Sequence, residues 1–266
     1  MPASDVPGEA AWPSQPIPSK PKPFAKQGFG FDDLVDFTPA IKSAALDAIR
    51  EYRVGPLYTP PSRDGTIVMP GAIGGAGWGG GALDPRTGTI FIKVTNQPSL
   101  FKIVKPTRTD TLDADYTADL QAQTLRVTVP SPDSSQRAAS LPINKPPYGT
   151  LVAIDLSTGE HKWNVPFGDT PAVRNHPLLR SLNLPPVGVS GAPGPIVTAG
   201  GLLFLTGGGS VLHAVDVDNG SSKWSADLGQ TAYAVPMTYK TRAGKQFVVI
   251  ATGGATGAKL VAFSLP

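Results

Sequence analysis

The chain has no cysteine and only three histidines among its 266 residues. Disulfide frameworks, thiolate metal sites and cysteine nucleophiles are therefore excluded. His161, His176 and His213 have no spacing suited to a common metal. Charge is also scarce. Charged residues make up 16% of the chain, the formal net charge is +3, and lysine and arginine form no run longer than a pair. A nucleic-acid footprint needs a basic stripe, so nucleic acid is not an expected partner. No apolar run approaches the 18 residues of a membrane-spanning helix. The first 24 residues lack the basic and apolar regions of an export signal.

Glycine (30) and proline (29) are abundant. That many prolines leave little room for long helices and favour a turn-rich, all-β chain. Residues 1–31 read as an extended, proline-rich segment laid over something else. Thr38-Pro39 then forms an N-cap followed by a first-turn proline. Ile41, Ala45, Ala48, Ile49 and Tyr52 recur at helical spacing until Gly55-Pro56, which predicts one short amphipathic helix over Pro39–Arg53. From Thr66 onward, short apolar runs lie between turn residues, at 90–94, 151–154, 202–205, 246–250 and 260–263. We read 1–60 as a linker carrying the helix and 61–266 as the β body. Residues 95–148 interrupt that body as a long polar insertion, a length usual for a lid, a binding loop or a disordered segment.

Gly74–Gly81 contains a formal G-x-G-x-x-G at Gly75, Gly77 and Gly80. A dinucleotide site needs these glycines to open a helix, with an acid about 20 residues on. Here they run into Asp84-Pro85-Arg86-Thr87-Gly88, a hairpin turn, and no acid stands between Gly88 and Asp110. The glycines instead suit a place where strands converge and backbone approaches backbone or a flat ligand. Gly188-Val189-Ser190-Gly191 misses the nucleophile elbow by one residue.

Ala82–Gly88, Ala153–Gly159 and Ala214–Gly220 share the pattern A-x-D-x-x-[TN]-G, followed four residues past the glycine by Ile92, Trp163 and Trp224. A small residue lets strands pack closely, aspartate caps the turn through backbone amides, and glycine takes the positive φ. Asp84, Asp155 and Asp216 are thus turn caps, and Trp163 and Trp224 packing residues. A single such hairpin cannot bury both faces, so stacked repeats of 60–70 residues point to propeller blades.

These repeats resemble the tryptophan-docking repeats of quinoproteins, the dehydrogenases that use pyrroloquinoline quinone (PQQ). Trp12-Pro13-Ser14-Gln15-Pro16, Asp36-Phe37-Thr38-Pro39, Gly55–Pro61, Pro193–Leu202, Pro236-Met237-Thr238-Tyr239 and Gly244–Ile250 continue the likeness, nearest to the membrane-type glucose and polyol dehydrogenases. The resemblance implies a partial β-propeller, about three and a half of eight blades with one short N-terminal helix. It ends on a strand without that blade's outermost neighbour. It also implies a periplasmic setting, PQQ and Ca²⁺ as cofactors, and hydride transfer from a sugar or polyol hydroxyl. On the family pattern, Gly75, Gly77 and Trp78 are the candidate cofactor-lining residues, and the catalytic carboxylate lies outside this chain. The family's loop asparagine is replaced at its candidate positions by Ala72 and Gly77, Thr206–Ser210 carries no acid, and Gly253–Gly257 carries no histidine. Lys102, Lys105 and Arg108 could meet an anionic ligand from the insertion or form a solvated face. Two readings follow: a dehydrogenase segment completed by a second chain or by homo-oligomer pairing, and a non-catalytic propeller scaffold or relic.

Overall fold

Asp155 and Asp216 each close a hairpin in the way the repeat demands. The computed structural model describes residues 1–107, 114–119, 125–129, 139–253 and 257–265. After the helix α1 (Pro39–Ile49) come strands β1 (Thr66–Val68), β2 (Ala76–Asp84), β3 (Thr89–Thr95) and β4 (Ser99–Val104). Within the insertion follow β5 (Thr117–Asp119), β6 (Arg126–Val129) and β7 (Ala139–Pro142), and beyond it β8 (Gly149–Asp155) and β9 (Glu160–Pro166). A single helical turn, α2 (Pro171–Arg174), precedes β10 (Ile196–Val197), β11 (Leu202–Thr206), β12 (Val211–Asp216) and β13 (Ser222–Asp227). The last strands are β14 (Met237–Lys240), β15 (Gln246–Thr252) and β16 (Lys259–Phe263).

Three antiparallel sheets form the β body: β2-β3-β8-β9, β10-β11-β12-β13 and β14-β15-β16. The all-β class and the single substantial helix are as expected. Two smaller sheets of the described residues, β1-β4-β5 and β6-β7, accompany these three. The first two sequence repeats lie together in the first sheet. The chain leaves β3, makes the whole insertion, and returns as β8 paired along β3 from Thr89↔Asp155 to Thr95↔Gly149. The Asp84 and Asp155 turns therefore sit side by side, with Leu156 N–H donating to Gly88 O at 2.9 Å.

The bulges separate the true equivalents from the partial one. In β8–β9 the register slips between Ala153 and Ile154, which sets Trp163 opposite Ala153. In β12–β13 it slips between Ala214 and Val215, which sets Trp224 opposite Ala214. The β2–β3 turn has no such slip, so Phe91 rather than Ile92 faces Ala82. A bulge adds one residue to one strand and shifts everything beyond it by one position.

All three aspartates cap their turns. Asp84 Oδ1 accepts from Arg86 N–H at 3.0 Å, Asp155 Oδ1 from Ser157 N–H at 2.8 Å, and Asp216 Oδ1 from Asp218 N–H at 2.7 Å. Gly88, Gly159 and Gly220 follow with φ of 61°, 71° and 73°. Bonds from the Arg86, Ser157 and Asp218 groups hold the three carboxyls below the ordinary value of 3.8. A carboxyl lowered in the fold stabilises it fully above its unfolded value and loses that contribution as pH falls through the folded value. The combined variant Asp84→Asn, Asp155→Asn, Asp216→Asn is therefore expected to be less stable at neutral pH and to lose less stability than the parent between pH 4 and 2. Urea unfolding across that range checks it.

Part of the insertion packs against the helix: β6 alternates exposed and buried residues, and its Val127 and Val129 lie in the core that holds α1. Ile41, Ala45 and Ile49 on one face of α1 share a core with Leu100, Val127, Leu141, Ile143 and Tyr148. Thr38 Oγ1 caps the helix by accepting from Ile41 N–H at 3.2 Å. Helix and insertion each carry an apolar stripe too small to stand alone, and each buries the other's.

Candidate functional site

Where the first and second sheets meet, backbone packs on backbone. Pairing of β2 with β3 jumps from Ala76↔Val94 to Gly81↔Ile92, so Gly77–Gly80 bulge out of the strand. A Cβ on Gly79 would overlap the backbone nitrogen of Gly194, and one on Gly77 would overlap Ala192. Both partners belong to the strap 187–194, which leads into β10 and the second sheet. A Cβ on Gly75 would overlap Ala25 of the N-terminal segment. The approach of backbone to backbone expected of these glycines is thus present, made by the protein's own chain.

Trp78 stands at the tip of this bulge with its side chain fully exposed. Gly80 beside it has φ of 65° and open space around it. The candidate set Gly75, Gly77 and Trp78 therefore divides. The two glycines make room for Ala25 and Ala192, and the tryptophan alone presents a free aromatic face.

The remaining candidates are dispersed. His161 Nε2 lies 2.9 Å from Lys22 O, His176 Nδ1 accepts from Leu178 N–H, and His213 meets the Phe167 ring edge-on at 5.1 Å. Among the described residues no three His, Asp or Glu side chains are grouped to hold a metal. Ser190 Oγ donates to Gln97 Oε1 at 2.6 Å, a structural tie from the strap to the link between β3 and β4. Thr206 Oγ1 donates to Ala232 O, and Ala72 N–H donates to Ser99 Oγ. Lys105 lines a polar cleft of about 460 Å³ with Asp5, Arg63, Asp64 and Tyr116, where charges of both signs are mixed. Lys102 lies on β4, paired with β5 at Asp119. Arg108, Asp110 and the centre of the Gly253–Gly257 loop lie outside the described residues. An apolar cleft of about 820 Å³ opens between the second and third sheets, against Phe204, Trp224, Val248, Phe263 and Leu265. None of Gly75, Gly77 and Trp78 lines it.

One residue that sequence reasoning passed over stands out. Lys93 on β3 is 2% exposed, and its Nζ donates to the carbonyls of Val94 at 2.9 Å, Val189 at 2.8 Å and Gly191 at 3.3 Å. Burial lowers it to about 7. The signal was in the strand alternation, which puts Phe91, Lys93 and Thr95 on one face with Phe91 in the core.

The sheets dock through side chains from the outer strands. Trp163 Nε1 donates to Val217 O at 3.0 Å, in the turn of the second sheet, and its ring lies over Gly220. Trp224 meets Phe263 of the third sheet edge-on at 5.1 Å. Arg86 Nη1 donates to Ala199 O, joining the first sheet's turn to the second sheet.

Four-stranded antiparallel sheets docked face to face and converging at one edge define a β-propeller segment. The model of one family, described as PQQ: glucose/ethanol/alcohol dehydrogenase, β-propeller domain, matches residues 1–248. The chain belongs to that family. It is similar to the quinate/shikimate dehydrogenase (quinone) of Acinetobacter baylyi, at 29% identity over 95% of this chain and 32% of that protein. It is also similar to a probable quinate dehydrogenase (quinone) of Xanthomonas campestris pv. juglandis, at 31% identity over 99% of this chain and 35% of that protein. Quinoprotein glucose dehydrogenase A of Acinetobacter calcoaceticus is 32% identical over 79% of this chain and 27% of its own length. The chain spans about a third of the length of the curated relatives it matches.

PQQ is a flat tricarboxylate, and holding it calls for cationic or N–H donors around a stacking face. The described residues offer the face of Trp78 and the open space at Gly80. They place no cation on that bulge, and Lys93 of the neighbouring strand β3 is buried and engaged with carbonyls. These residues alone do not supply donors for the carboxylates of PQQ, and among the described residues no three His, Asp or Glu side chains are grouped to hold a metal.

Proposed function

We propose that this chain is one part of the propeller of a PQQ-dependent dehydrogenase, active only when the remaining blades are supplied. A second chain, a further copy of this one or residues beyond this sequence would supply them. The assembled protein would oxidise a hydroxyl of a sugar or polyol, cyclic polyols of the quinate type included, with PQQ accepting the hydride. The observation that carries this reading is the glycine bulge of β2 with its exposed Trp78. It forms one wall at the edge where the sheets converge. A periplasmic location belongs to the same proposal; among the described residues no helix is long and apolar enough to cross a membrane.

The lone chain is expected to show no dye reduction with glucose or quinate in the presence of PQQ and Ca²⁺, and its tryptophan fluorescence is expected to stay unquenched at stoichiometric PQQ. Co-expression with a chain carrying the missing blades should restore both signals. Dye reduction by the lone chain would overturn the proposal. Ala72, Gly77 and the uncharged Thr206–Ser210 turn favour a second reading, a propeller scaffold without catalysis. Silence of both signals in the co-expressed assembly would establish it instead.

A further inference from the structure

We propose that residues 20–26 are an end cap, seated on the first sheet where a further propeller sheet would dock. The sheet they keep out is the third sheet of a second copy of this chain. Blades added before the first sheet must displace the cap, whereas blades added after the third sheet need not.

The seat is recognised from the seam that the chain makes within itself. Gly159 and Gly220 end equivalent turns, with φ of 71° and 73°. Over Gly220 lies the ring of Trp163 from the preceding sheet, and over Gly159 lie Lys20 and Pro21 instead. Lys20 Nζ donates to Thr158 O at 3.5 Å and pairs with Glu160 Oε1 at 2.6 Å. His161 Nε2 donates to Lys22 O at 2.9 Å. From this turn the segment crosses the sheet. Phe24 and Ala25 pack on Val94, Val152 and Ile154, on the face turned away from the second sheet. Ala25 abuts Gly75, and Lys26 N–H donates to Asn96 Oδ1 at 3.2 Å. The segment thus covers both the turn and the apolar face that a docking sheet would use.

The third sheet leaves its own outward face uncovered. Register puts Met237, Tyr239, Phe247 and Leu260 on one side of it, and Met237, Tyr239 and Leu260 are exposed. Val248, Ile250 and Phe263 are on the other side, packed against the second sheet. Docking runs in one direction, from Trp163 of the first sheet onto the second and from Trp224 of the second onto the third. One more step in that direction sets the third sheet of one copy on the first sheet of another. Such a head-to-tail contact propagates unless it closes into a ring, and a cap on one end stops it. The cap rests on packing alone and holds whether or not the chain binds PQQ.

The full chain carrying Phe24→Asp and Ala25→Asp tests the cap by removing its apolar anchor. Trypsin should then cut after Lys26 about tenfold faster than in the parent, because the segment is released. The weight-average mass in light scattering should rise about twofold or more over the parent's at the same concentration. Adding Met237→Asp and Leu260→Asp should return the mass to the parent's value. Unchanged cleavage or an unchanged mass would overturn the proposal. So would a rise in mass that the third-sheet substitutions leave intact, since pairing would then use another surface. Should the variant fail to fold, Phe24→Ala with the same controls decides.

Discussion

Gly79→Ala should destabilise the protein by about 3 kcal/mol or more, while Gly80→Ala, one residue away, should cost about 1 kcal/mol. The ranking runs against backbone preference alone. Gly80 has the left-handed φ of 65° that disfavours a side chain, and Gly79 does not. Space decides the order. The added methyl at Gly80 meets nothing within 4 Å, whereas at Gly79 it would overlap the backbone of Gly194 and the carbonyl of Ala192. Backbone cannot move aside as a long side chain can, so the first and second sheets must part. Urea unfolding of the two variants measures the difference, and equal midpoints would mean that the sheets are not in contact there.

Trp163→Ala is the second large effect, expected at about 3 kcal/mol. The half-buried ring packs beside Phe91, with centroids 5.8 Å apart, and covers Gly220 in the neighbouring turn. Truncation removes that cover and leaves the Val217 carbonyl without its 3.0 Å donor. Trp163→Phe keeps most of the apolar contact and loses the donor, so it should cost about 1 kcal/mol. Trp224 is 40% exposed, and its alanine variant should cost less than that of Trp163. A larger loss at Trp224 than at Trp163 would show that the third sheet, rather than the seam of the first two, limits stability.

Both predictions concern the seam between sheets. This is where a propeller segment differs from a set of hairpins. Within each sheet the hydrogen-bond ladder is local, and stability between sheets comes from a few docking side chains and close backbone approaches. The glycine bulge serves that docking at Gly77 and Gly79, while Gly75 makes room for Ala25 of the N-terminal segment. Trp78 on the same bulge keeps its side chain fully exposed.

Much of this was legible in the sequence because its causes are local. The cap at Thr38, the turn aspartates and the positive-φ glycines act within a few residues, so their patterns survive without knowledge of the fold. The hairpin nature of Asp84–Gly88, and hence the accidental character of the dinucleotide fingerprint, follows from the same local chemistry. Pairing at a distance was not legible. Nothing in residues 95–148 says that the chain returns to β3, so the sharing of one sheet by the first two repeats was hidden. The insertion's apolar positions looked sparse because their partners are the helix and Phe29–Val35, far away in the chain. Lys93 could be placed on a core face by alternation, but its three carbonyl partners come partly from residues almost a hundred positions on. Composition and short-range pattern thus determined the all-β class, the turns and the helix. Only the tertiary structure decided which strands share a sheet and what fills the space beside each glycine, because those depend on contacts that the chain makes after it has turned back on itself.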